Sequence, residues 1–433
     1  MAFIGRFARS GPVLLRLRRY AIIAGGSAGA RMTSLVATVI IARTLGPAGF
    51  GDFSLFLALM LPFSIATQFV DITYVRHANT PGRTDARRVL RAALLIKISV
   101  TVVLALAAYP VAALLAAKAF GRPELALPLM GAILTGILVG VTNLWASTYL
   151  AAQRYLPFSI VNSLYYVLVL VALIPILVGD FKLTPTPIYV VFGIVAALLA
   201  AVSVVWLLRI TRSVHATRSE ILGVAAFAKW LVAANVVDVI GQRLDLIAVA
   251  HYVSKAEVGL YSAGLRISVI GSLLIGALSA LVLPRVPRAL LSRQTLRAYV
   301  RESLAIAFMI NVGIVLLWFL APRLTTGIFG ASFTDAAHLS RIILVGTFCN
   351  AISTPLALLL LAEEVPRRVV VFGLGRIAVI LGLTIALAPT YGAEGAAWGF
   401  TASEAFALLY AAAFAARQWR LLPRLTAEAH AAG

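Results

Sequence analysis

Charge is scarce in this sequence, and negative charge most of all. Charged residues make up 12% of 433, with 16 Asp and Glu against 37 Lys and Arg. Soluble domains average about 25% charge, so this chain cannot cover a water-facing surface of its size. Cysteine is nearly absent: Cys349 stands alone, which excludes an intrachain disulfide and a cysteine-based metal site. The histidines, His77, His215, His251, His338 and His430, are scattered without metal-ligand spacing. No Gly-rich loop ends in Gly-Lys-Ser/Thr, so ATP hydrolysis by that route is excluded. "GLGRIA" from Gly373 lacks the third glycine of a dinucleotide loop and sits in an apolar run, where small residues serve helix packing. No metal or cofactor is therefore expected, and these enzyme readings fail. A membrane glycosyltransferase or polymerase is the enzyme alternative. It would be expected to carry an acidic motif on a sizeable outer connection. The longest outer connection here, Arg323 to Asp335, offers one acid.

What the chain does have is apolar length: 61% of it is hydrophobic. At roughly 20 apolar residues per membrane-spanning helix, about twelve spans are expected. They begin near Tyr20, Asp52, Ala92, Leu125, Leu156, Thr186, Ile221, Val258, Leu304, Ala336, Val369 and Gly395. The connections are too short to hold a soluble domain. The net charge of +21 is placed by topology rather than for nucleic acid. Arginines crowd the stretch before the first span (Arg6 to Arg19), the second connection (Arg76 to Arg91), the sixth (Arg209 to Arg218), the eighth (Arg285 to Arg301) and the tail (Arg417 to Arg424). The odd-numbered connections hold only Arg43, Lys118, Arg122, Lys182, Lys255 and Arg323. This alternation is the positive-inside pattern and puts both termini in the cytoplasm. Basic residues at the inner surface also attract anionic lipid head groups. The basic, then apolar N-terminus lacks a small-residue cleavage site, so an uncleaved first span is expected.

One turn is written twice. "ARTLGPAGFGDFS" from Ala42 and "AHYVSKAEVGLYS" from Ala250 each lie between two apolar runs. Aligned on Gly51 and Gly259, Ala42 meets Ala250, Ala48 meets Ala256, Phe53 meets Tyr261 and Ser54 meets Ser262. The offset is half the array. The chain thus reads as an all-α membrane protein of two six-helix halves, residues 1–208 and 221–433, joined by a basic cytoplasmic linker, 209–220. Both halves enter from the same side, which makes the repeat parallel, about an axis along the membrane normal. Transporters are commonly built from such repeats, with the substrate site between them.

Charges inside spans cost a few kcal/mol each and mark candidate sites. Lys229, Asp71, Arg266 and Arg341 are expected near span ends, where the basic ones can snorkel to the interface. In span one, Ser27, Arg31, Ser34 and Thr38 follow spacings of four, three and four, which puts them on one helix face. Arginine's fork of donors matches phosphate oxygens. Arg31 is thus a candidate phosphate clamp, with a structural pairing to an aspartate as the alternative. In span seven, Asn235, Asp238, Gln242 and Asp245 form the corresponding stripe, beside Arg243. At the half-repeat offset Ser27 meets Asn235 and Ser34 meets Gln242, so both stripes are expected to line a cavity, together with Lys97. A carboxylate shielded from water can serve as a site for a coupling proton or Na⁺. Asp238 and Asp245 are candidates for that role, the alternative being that they only neutralise Arg31, Arg243 or Lys97. Asp71, on a weaker stripe with Ser64 and Gln68, is a third candidate. Arg376 and Glu404 fall in the last two spans, where they can pair.

Three stretches carry a family resemblance. "ARTLGPAGFGDFSLFLAL" resembles the first-hairpin signature of bacterial polysaccharide flippases of the Wzx type. "RLDLIAVAHYVSKAEVGLYSAGLRI" resembles their mid-chain signature, and "YGAEGAAWGF" their last hairpin. The likeness spans nearly the whole chain and places it in a larger group with lipid II flippases and multidrug exporters. It implies a V-shaped pair of six-helix bundles around a central cavity. The implied cargo is an undecaprenyl-(pyro)phosphate-linked oligosaccharide, crossing the inner membrane for O-antigen or exopolysaccharide synthesis. A polysaccharide polymerase and glycosyltransferases would be the partners. The runner-up is a cation-coupled exporter of small molecules.

Overall fold

The computed structural model describes residues 11–78, 85–178, 184–218, 220–222, 244–362 and 366–431. Among these residues all regular structure is helical. We number the long helices α1 (Gly11–Ala66), α2 (Gln68–Ala78), α3 (Ala86–Leu114), α4 (Ala126–Ala151), α5 (Tyr155–Val178) and α6 (Pro185–Ile210). The chain continues through α7 (Leu244–Tyr252), α8 (Lys255–Val282), α9 (Arg293–Phe329), α10 (Ala336–Leu358) and α11 (Pro366–Ala431).

Nine stretches among the described residues are long and apolar enough to cross a membrane. Two of them exceed a single crossing: Met32–Ala78 has 47 residues and Arg368–Leu421 has 54. Each bends at a glycine of positive φ, Gly46 at 65° and Gly392 at 58°. The bends fall in the predicted first and last outer connections. The seventh predicted span falls largely on residues 223–243, outside the described residues. An expectation of about twelve spans agrees with this arrangement. Large apolar side chains such as Leu106, Phe308 and Met309 are 77%, 70% and 73% exposed. No water-soluble protein would leave so many bare, and a lipid-facing surface accounts for them.

Local sequence starts the helices where expected. Asp85 caps α3 by accepting the Arg87 N–H at 3.0 Å. Ser254 and Glu257 form a reciprocal capping box at the head of α8. Pro185 opens α6, where its missing N–H has no helical partner to lose. The outer connection expected at Arg323 to Asp335 is mostly helix. The helix continues through Pro322 and Gly327, so α9 runs on to Phe329 and stops at Gly330, whose φ is 102°, and only a short 3₁₀ turn separates it from α10.

The described residues form two compact units. One contains those of 1–45 and 55–240, the other those of 46–54 and 241–433. In the first, α4 packs against α2, α3, α5 and α6. A buried cluster that includes Phe69, Val70, Leu90, Leu94 and Leu144 fills its core. In the second, α10 is the central helix and touches α8, α9 and α11.

The short segment 46–54 belongs to the second unit because its turn packs on the repeated turn. A Cβ on Gly51 would collide with the backbone carbonyl of Lys255 and lie 3.1 Å from the Gly259 nitrogen. A Cβ on Gly259 would collide with the carbonyl of Pro47 and lie 3.1 Å from the Gly51 nitrogen. Pro47 and Lys255 stand at the same 208-residue offset as the two glycines. The contact is therefore locally two-fold. It needs glycine at both places because the backbones leave no room for a side chain. Lys255 also pairs with Asp52 at 3.0 Å, and the Phe50 ring packs tilted against Phe329 and edge-on against Phe333.

Candidate functional site

The buried charged residues among those described, Asp71, Lys97, Asp245 and Glu404, fall in three places. In the first unit, the Lys97 ammonium lies 2.5 Å from Asp71 Oδ1, with side chains 1% and 4% exposed. Two helices bring them together. Asp71 sits one turn into α2, just after a break at Thr67, where the turn tightens and the Val70 N–H bonds to the Thr67 carbonyl at 3.2 Å. Lys97 projects from the middle of α3. A threonine stands one turn from each partner: Thr67 is four residues before Asp71 and Thr101 four after Lys97. Both hydroxyls and Asp71 Oδ2 are buried without a hydrogen-bond partner. Charges taken out of water survive only when paired. This pair is closed on itself yet leaves one carboxylate oxygen unsatisfied.

In the second unit, Arg376 of α11 pairs closely with Glu404 further along the same bent helix. Glu404 is 4% exposed, and its second oxygen accepts from Asn350 Nδ2 of α10 at 2.6 Å. The Ser403 hydroxyl donates to the Arg376 carbonyl at 3.1 Å. Arg376 Nε is buried without a partner. The third place is Asp245 at the start of α7, where it accepts from the Tyr261 hydroxyl of α8 at 3.0 Å. Both residues are buried.

The predicted site residues fall as follows. Ser27 and Arg31 lie on α1, with side chains outside the described residues. Ser34 is half-buried, and Thr38 is buried with its hydroxyl donating to the Ser34 carbonyl at 2.7 Å. Asn235, Asp238, Gln242 and Arg243 lie outside the described residues, as does Lys229. Lys97 is held by Asp71 rather than facing an open surface. Asp71, expected near a span end, is buried between α2 and α3. The break at Thr67 that precedes it was not signalled by the sequence. Arg341 lies with its guanidinium 4.8 Å from the Trp318 ring and donates to the Trp318 carbonyl at 3.3 Å. The expected pairing of Arg376 with Glu404 is present.

Sequence reasoning missed Asn350. A single uncharged amide in an apolar run drew no notice, although an amide buried without a partner costs roughly 2–7 kcal/mol. The available signal was its spacing: Asn350, Ser353 and Thr354 share one helix face.

Several solved structures share this fold. A multidrug resistance transporter of the MATE family, of the MOP superfamily and in an inward-facing conformation, matches with a TM-score of 0.73 at 14% identity, over 91% of this chain and 96% of its own. The lipid II flippase MurJ in an inward closed conformation matches at 0.72 and 14% identity, over 92% of this chain and 89% of its own. A MOP superfamily transporter from Pyrococcus furiosus gives 0.63 and 14%, over 94% and 96%. The chain shares the fold of these three transporters. Residues 17–290 match the family described as "Polysaccharide biosynthesis protein", and the chain belongs to that family. No curated protein matches the sequence.

Proposed function

We propose that the protein is a flippase that carries an undecaprenyl-(pyro)phosphate-linked oligosaccharide from the inner to the outer leaflet of a bacterial cytoplasmic membrane. The observation that carries this reading is the match to a polysaccharide biosynthesis family over residues 17–290. The physical task is to move a charged, hydrated head group through hydrocarbon. In this reading Arg31, Ser27, Ser34, Thr38, Asn235, Gln242 and Arg243 shelter that head group, and Arg31 grips phosphate. The polyprenyl tail stays in lipid. Halves 1–208 and 221–433, joined by 209–220, rock in alternation. Both termini lie in the cytoplasm. Asp71, with Lys97 as its internal counter-charge, and Asp238 or Asp245 are the places where a proton or Na⁺ drives the cycle.

The second reading is a cation-coupled small-molecule exporter. It is favoured by the MATE-family neighbour, whose TM-score of 0.73 equals that of the flippase within a hundredth.

Deletion of the gene separates the two. Loss of a flippase is expected to leave sugar-loaded carrier lipid in the inner leaflet and to remove the finished surface polymer. Intact polymer with altered drug tolerance would support the exporter and refute the flippase.

A further inference from the structure

The second unit contains a cavity of about 210 Å³ beside the Arg376–Glu404 pair. Its wall on α10 runs from Asn350 through Ser353 and Thr354 to Leu358, and its wall on α11 from Arg376 through Phe372 to Val369. The two helices run in opposite senses here, since Asn350 and Arg376 both meet Glu404. The cavity therefore has a polar end and an apolar end. They are separated by eight residues of α10, about 12 Å at 1.5 Å per residue.

Pro355 follows the lining residue Thr354 in the same helix. It has no N–H for the Ala351 carbonyl, so the helical ladder is interrupted beside the cavity. The Tyr299 hydroxyl donates to the Pro355 carbonyl at 2.8 Å from the other side. The Ser353 and Thr354 hydroxyls donate to the Asn350 carbonyl at 3.2 and 2.8 Å. Their lone pairs are left to accept from a ligand.

Charge decides what the cavity accepts. Arg376 is neutralised by Glu404, and Glu404 is further held by Asn350, so the cluster carries no net charge. Arg376 lines the cavity and Glu404 does not, so an anion would have to compete with Glu404 for a guanidinium that is already paired. A cation would meet the guanidinium itself. The accessible hydrogen-bonding capacity is the part of the Arg376 side chain that stays exposed, 35% of it, and the hydroxyl acceptors. A neutral polyhydroxyl ligand satisfies both at no cost in charge separation. Phe372, packed on Tyr410 at 5.5 Å between ring centroids, supplies an apolar face for C–H groups. A six-membered sugar ring has both surfaces, a hydroxyl edge and a C–H face. The volume lies below the roughly 300–1,000 Å³ of drug-sized sites, which suits one ring rather than an oligomer.

We propose that the cavity formed by Asn350, Thr354, Phe372 and Arg376 is a subsite for one neutral pyranose unit of the cargo. The identification of that sugar as cargo rests on the flippase reading. The binding chemistry does not.

The test uses the full-length protein in lipid nanodiscs free of glycoside detergent. Saturation-transfer NMR is recorded with the methyl pyranosides of glucose, galactose, mannose and N-acetylglucosamine. Glucuronate and inorganic phosphate serve as charged probes. At least one methyl pyranoside is expected to bind saturably, with the strongest transfer at ring C–H protons, and to bind more tightly than either anion. Asn350→Leu and Phe372→Leu are each expected to weaken it by about tenfold, the equivalent of one lost interaction. Thr354→Val, which keeps the shape and removes the hydroxyl, is the variant of choice should either fail to fold. Absence of binding by every methyl pyranoside overturns the proposal. So does binding that the variants leave unchanged, or phosphate binding that is tighter than any sugar. If lipid-linked oligosaccharide is translocated by the wild type and equally by the variants, the subsite falls and the flippase reading stands. If sugar binds but no lipid-linked oligosaccharide moves, the flippase reading falls and the subsite stands.

Discussion

Gly51→Ala is expected to destabilise the protein by about 1–3 kcal/mol, the usual cost of forcing extra atoms into a packed contact. The readout is a lower melting temperature in detergent and less folded protein in membranes. A methyl group at this position would strike the Lys255 carbonyl, which is main chain and cannot rotate away. Gly259→Ala is expected to cost a similar amount against the Pro47 carbonyl. The double variant should cost less than the sum, because the first methyl already spreads the crossing that the second would enter. Gly313→Ala is the control. Nothing lies within 4 Å of a Cβ there, and alanine suits a helix better than glycine. It should melt at or above the wild-type temperature. Equal melting of Gly51→Ala and wild type would mean that the two turns do not cross this closely in the folded protein.

The second large effect concerns the closed ion pair of the first unit. Lys97→Met is expected to cost about 3–5 kcal/mol, because it strands the Asp71 carboxylate in a buried site. Asp71→Leu strands the ammonium and should cost about as much. The double variant, with both charges replaced by apolar groups, should recover most of the loss. Melting temperatures across the four proteins give the coupling between the two residues. Transport measured on the recovered double variant then assigns the pair's role. Full transport would make the pair purely structural. Folded protein without transport would make it part of the cycle, as proposed. Additive losses would contradict the buried pairing itself.

The architecture was open to a sequence reader because membrane helices announce themselves by apolar length and by where arginines stop. The repeated turn was legible for a related reason. The closest backbone crossing admits only glycine, so Gly51 and Gly259 mark it in both copies. Pairing between spans was not legible. Periodicity places Asp71 and Lys97 each on a helix face. It does not say how the two helices are rotated about their axes. The partners lie 26 residues apart on different helices. Several carboxylates were equally eligible for Lys97, including Asp238 and Asp245. The break at Thr67 was hidden because neither proline nor glycine makes it. In the second unit the charges Arg376 and Glu404 stood out, whereas Asn350, which ties α10 to the pair, looked like any polar residue in an apolar run. The stripe around Arg31 remains a proposal from spacing alone.

The most direct test of the account is translocation by the purified protein in sealed vesicles. Undecaprenyl-diphosphate linked to a fluorescent oligosaccharide is placed in one leaflet, and an impermeant quencher reports its arrival in the other. The account predicts that vesicles with the protein show loss of fluorescence, while protein-free vesicles and vesicles with Arg31→Ala do not. No translocation by the wild-type protein, together with movement of a cationic drug across the same vesicles, would contradict it.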